Sequence, residues 1–89
     1  MRISEEKIEK IYEQILSYLY SVSPKAKYTS HIAKELARDE EFIKTLLINL
    51  KEKNLILEIK KNTEGVLYIR RSRWKLSDGA YAAYKQHQL

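Results

Sequence analysis

Eighty-nine residues, 33% charged and 44% hydrophobic, suit one small soluble globular domain and exclude a disordered tail. The absence of cysteine excludes a disulfide framework and thiolate metal sites, and His31 and His87 lie too far apart to suggest zinc. The net charge of +5 is unevenly spread: in residues 57–76, Lys60, Lys61, Arg70, Arg71, Arg73 and Lys75 face only Glu58 and Glu64. Such a basic stretch either attracts a polyanion, nucleic acid first, or only keeps a small lysine-rich chain well solvated.

No apolar run approaches the ~20 residues of a bilayer span. The start MRISEEKIEK is amphipathic and acidic, unlike the apolar core of a signal peptide. A cytoplasmic, nucleoid-associated protein that avoids membranes is expected.

Ser4 reads as the N-cap of a first helix over 5–20, with Glu5 and Glu6 in the turn where the helix dipole favours acids. Ile8, Ile11, Tyr12, Ile15, Leu16 and Leu19 recur at three- and four-residue steps and form its apolar stripe. Pro24 stops the helix. Ala26–Tyr28 is expected as a short strand. Thr29 is expected to cap a second helix over 30–37, buried through Ile32, Ala33 and Leu36. His31 falls on its solvent side.

A turn at Ala37-Arg38 leads to a third helix over 40–53, capped by Asp39 and buried through Ile43, Leu47 and Leu50, with Leu46 at the flank. Asn54 follows where a left-handed residue is wanted. Residues 57–61 and 66–76 then read as a hairpin around Asn62-Thr63-Glu64-Gly65, in which Gly65 is free to take positive φ. Alternation turns Trp74 and Leu76 inward and Arg71, Arg73 and Lys75 outward. The same count turns Arg70 inward, so a bulge or a projecting hairpin is expected at Arg70-Arg71. Ser77 caps a last helix over 78–87, with Tyr81 and Tyr84 placed to close over the first helix or to form a subunit contact.

The segment Ile32–Ile56, IAKELARDEEFIKTLLINLKEKNLI, resembles the helix-turn-helix of winged-helix regulators such as the MarR-like, ArsR-like and related archaeal families. Ile32, Ala33, Leu36, Ile43, Leu47, Leu50, Lys53, Leu55 and Ile56 match that pattern in register. Trp74-Lys75-Leu76-Ser77-Asp78-Gly79 is similar to the segment that closes the wing, although it is one residue shorter. The resemblance covers roughly residues 28–80. It implies an α+β, mainly α, winged helix-turn-helix with a three-helix core, a β-hairpin wing and a short C-terminal helix. In chain order these are a helix-turn-helix over 29–53, a wing over 55–76 and a C-terminal helix over 78–87, all within a single domain spanning 1–89.

The resemblance further implies a transcriptional regulator that binds double-stranded DNA. The third helix would enter the major groove with Lys44, Thr45 and Asn49, and Lys51 would add a phosphate contact. The wing would supply Lys60, Lys61, Arg70, Arg71 and Arg73 to the backbone. Pairing into a homodimer would give half-site readout, with the first and last helices as the seam. Glu40 and Glu41 depart from this scheme, since they would approach phosphates with the wrong sign. They, with Phe42, Ile48 and the apolar strand Val66–Ile69, favour a second reading: a winged helix that binds other proteins in a transcription, replication or membrane-remodelling assembly. An enzyme is not expected, because only Gly65 and Gly79 are present and no nucleophile has a base at recognisable spacing. No cofactor, metal or small-molecule effector is expected either.

Overall fold

A computed structural model describes residues 4–60 and 72–87 of the chain. The described elements follow one another as α1 (Glu5–Val22), β1 (Lys27–Tyr28), α2 (Thr29–Leu36), α3 (Glu40–Glu52), β2 (Ile56–Ile59), β3 (Arg73–Leu76) and α4 (Asp78–His87).

Local cap chemistry sets most of the helix ends. Ser4 Oγ accepts from the Lys7 amide at 3.3 Å, and Asp39 Oδ2 accepts from the Phe42 amide at 3.0 Å. Ser77 Oγ accepts from the Ala80 amide at 3.2 Å. Each satisfies an amide that the first turn of a helix leaves without a partner. Ala37 ends α2 in the left-handed region, with φ 53° and ψ 46°. Asn54 does the same after α3 at φ 62°, the role its short polar side chain suits.

The start of α2 differs from expectation. Tyr28 occupies the cap position, in extended backbone and without a side-chain cap bond, and Thr29 is already helical. The Thr29 hydroxyl serves another purpose: it accepts a hydrogen bond from Trp74 Nε1 at 2.8 Å. A buried indole must place its N–H somewhere, and that requirement turns Thr29 toward the sheet.

The three strands form one antiparallel sheet in the order β1-β3-β2. Lys27 pairs with Trp74, and Ile56 pairs with Leu76. The short strand ahead of the second helix therefore pairs with the last strand. Trp74 and Leu76 are buried and alternate with half-buried Arg73 and Lys75. Because β3 is flanked on both sides, these two cations are more covered than an edge strand would leave them.

The core gathers Ile11, Ile15 and Leu19 of α1, Ile32 and Ala33 of α2, and Ile43, Leu46, Leu47 and Leu50 of α3 under Ile56, Trp74 and Leu76. Phe42, expected outside or at the flank, is half-buried against this core. It lies one turn before Leu46, whose face it continues. α4 closes onto α1 through tyrosines: the Tyr20 ring lies 5.4 Å from Tyr81 and 5.5 Å from Tyr84, centroid to centroid. Among the described residues, no helix is long and apolar enough to cross a membrane.

Candidate nucleic-acid interface

α3 turns Ile43, Leu46, Leu47 and Leu50 inward, and that leaves Lys44, Thr45 and Ile48 on the opposite side. Lys44 makes no ion pair with a described residue. Thr45 Oγ1 donates to the Glu41 carbonyl at 3.1 Å, so its hydroxyl is folded back on the helix. Glu40 and Glu41 are exposed at the N-terminus of α3, where the helix dipole favours them.

A shallow depression joins this end of α3 to the start of α2 and the root of the wing. Its walls are Tyr28, Thr29 and Ser30, then Glu40, Glu41 and Lys44, then Ser72. Hydroxyl donors, one lysine and two carboxylates thus share one concave face. The structure brings Lys44 to the wing root but places Asn49 elsewhere. Asn49 Nδ2 donates to Tyr12 Oη at 3.1 Å, which directs its amide toward α1. Lys53 covers the same tyrosine, with its Nζ 5.1 Å from the ring centroid.

On the wing, Lys60 is exposed at the end of β2 and Arg73 is half-buried at the start of β3. Lys61, Arg70 and Arg71 lie outside the described residues, as do the expected turn at 62–65, the apolar strand at 66–69 and the expected bulge. Glu58 is a residue that reading the sequence as a site left aside. Its Oε1 accepts from Lys51 Nζ at 2.7 Å and lies 4.0 Å from Lys60 Nζ, and its Oε2 accepts from Ser72 Oγ. Burial pushes the Glu58 carboxyl up, but the bonds from Lys51 and Ser72 and the charges of Lys51 and Lys60 hold it below its ordinary value. The one signal in the sequence was an acid set in a strand beside lysines.

No family model matches the sequence, and neither does any curated protein sequence. Solved structures do match. MepR of Staphylococcus aureus, a transcription regulator of the multidrug efflux pump MepA, superposes with a TM-score of 0.70 at 24% identity, over 92% of this chain and 60% of that one. MepR in complex with DNA gives 0.68 at 24% identity, over 97% of this chain and 56% of that one. A variant of ZitR from Lactococcus lactis gives 0.62 at 22% identity, over 83% of this chain and 48% of that one. The fold is a winged helix-turn-helix. The winged helix spans less than two thirds of the MepR and ZitR chains it matches. In its terms, α2 and α3 are the helix-turn-helix, and β2 with β3 forms the root of the wing.

Proposed function

We propose that this winged helix binds double-stranded DNA as a transcriptional regulator, with α3 toward the major groove and the wing along the backbone. The observation that carries the reading is the shared face: exposed Lys44 of α3 lies beside Ser30 of α2 and Ser72 of the wing root. Lys44 and the wing residues Lys61, Arg70, Arg71 and Arg73 are the phosphate contacts, and Lys60, 4.0 Å from Glu58, joins them once that carboxylate releases it. Thr45 reads base edges after releasing the Glu41 carbonyl. Asn49 contributes only if its bond to Tyr12 opens. The proposal includes a homodimer with α1 and α4 as the seam, a place on cytoplasmic DNA, and no small-molecule effector.

Binding of a labelled random duplex against salt concentration tests it. Each phosphate neutralised contributes about −0.9 to the slope of log K against log salt. Changing Arg70, Arg71 and Arg73 together to Ala is expected to flatten that slope by about 2.7 units. Glu40→Lys with Glu41→Lys is expected to tighten non-specific binding. A slope unmoved by the triple change would reject the wing assignment, and no response to the charge reversal would turn α3 away from DNA.

A winged helix used for protein association is favoured by one observation. Ile48 on α3 and Leu57 on β2 are 40% and 44% exposed, large apolar side chains that a purely ionic surface does not need. Loss of binding to a protein partner, with DNA binding intact, on Ile48→Ser would mark that second use.

A further inference from the structure

Three groups from three elements converge on the Glu58 carboxylate: Lys51 from the last turn of α3, Lys60 from the end of β2 and Ser72 from the start of β3. Two ammonium groups and a hydroxyl arranged about one point are the donors that a phosphate oxygen takes. Here the chain's own carboxylate fills the place. The Glu58 side chain is only 13% exposed, whereas Lys51 and Lys60 are 48% and 55% exposed. The acid is thus held inside the cluster and the cations form its outer rim. Ser72 also lines the depression that holds Lys44, so the cluster is continuous with the face proposed to meet DNA. Lys44 differs from Lys51 in having no ion pair with a described residue.

We propose that Glu58 stands in for a backbone phosphate, keeping Lys51 and Lys60 on the DNA-facing surface but withheld from DNA, and so sets the affinity of that surface for a polyanion. This rests on the DNA-binding reading above. It divides the cations of the face into two classes. Lys44 releases a counter-ion when it meets a phosphate. Lys51 first has to give up Glu58, and the freed carboxylate then repels the same phosphate.

The test is binding of a random 20-base-pair duplex, followed by fluorescence anisotropy across a salt series. Glu58→Gln keeps an oxygen for Ser72 and removes the charge. It is expected to steepen the log–log slope by about 0.9 for Lys51 alone, and by about 1.8 if Lys60 is freed too. Referred to 1 M salt, where the ionic part vanishes, that is about fivefold to thirtyfold tighter binding at 0.15 M. Lys51→Ala in the otherwise native chain is expected not to flatten the slope, and in the Glu58→Gln background it is expected to cancel the Lys51 share of the gain. Lys51 is an exposed side chain, so its variant carries the test should the Glu58 variant fail to fold.

Equal or weaker binding by a folded Glu58→Gln protein overturns the proposal, and so does a slope flattened by about 0.9 on Lys51→Ala alone. If the native chain binds with a steep salt dependence and ignores both changes, only the role of Glu58 falls. If neither the native chain nor the Glu58 variant binds DNA at any salt, the DNA-binding reading falls with it.

Discussion

Thr29→Val isolates the hydrogen bond that joins the helix-turn-helix to the sheet. Trp74 has no exposed surface, and its only side-chain polar atom, Nε1, reaches Thr29 Oγ1 at 2.8 Å. Valine keeps the branched shape of threonine, and the two differ little in helix propensity. The change therefore leaves one buried N–H without an acceptor and alters little else. That costs about 1–3 kcal/mol. At the usual 0.05–0.15 kcal/mol per residue, a chain of this length has about 4–13 kcal/mol of stability in all. The melting temperature is expected to fall by about 4–8 °C for each kcal/mol lost. The chain has a single tryptophan, so urea unfolding followed by tryptophan fluorescence reports from the perturbed site itself. Thr29→Ser, which retains the hydroxyl, serves as the control and is expected to lie nearer the native protein. A valine variant within about 0.5 kcal/mol of the native chain would refute the assignment of this bond as a structural tie.

Asp39→Ala removes the oxygen that receives the Phe42 amide and is expected to cost about 1 kcal/mol in urea unfolding; no loss would mean that water replaces the cap without penalty. Glu58 gives an acid dependence. Its carboxyl lies below the ordinary 4.5 in the folded chain, so the stability it contributes is complete above that value and is lost as pH falls through the folded pKa. The difference in melting temperature between the native protein and Glu58→Gln is therefore expected to shrink as the solution is acidified, and a difference independent of pH would refute the linkage.

Much of the fold was legible because its determinants are close in sequence. Ser4, Asp39 and Ser77 cap helices three residues away, and Asn54 takes the left-handed position just after its helix. The apolar periods of α1 and α3 and the inward turn of Trp74 and Leu76 followed from spacing alone. What escaped reading depends on partners far along the chain. Thr29 has the composition of a cap, but its hydroxyl answers to Trp74, 45 residues later. Asn49 sits at a helical position suited to a groove, but its amide answers to Tyr12, 37 residues earlier. Glu58 looked like one acid diluting a basic wing. Only the fold shows that Lys51 and Ser72 lie against it. The candidate interface is thus legible as a list of cations, whereas which of them are already engaged is a property of tertiary structure.

The middle position of β3 has a consequence for synthesis. β1 and β2 do not touch each other in the sheet, and each takes its ladder from β3. On a ribosome, residues 27–28 and 56–59 emerge before residues 73–76, the strand partner that both share among the described residues. The tryptophan that seals the core arrives with that same short strand. The nascent chain can therefore assemble its helices early, but it cannot close its sheet until the strand that separates the other two has left the exit tunnel.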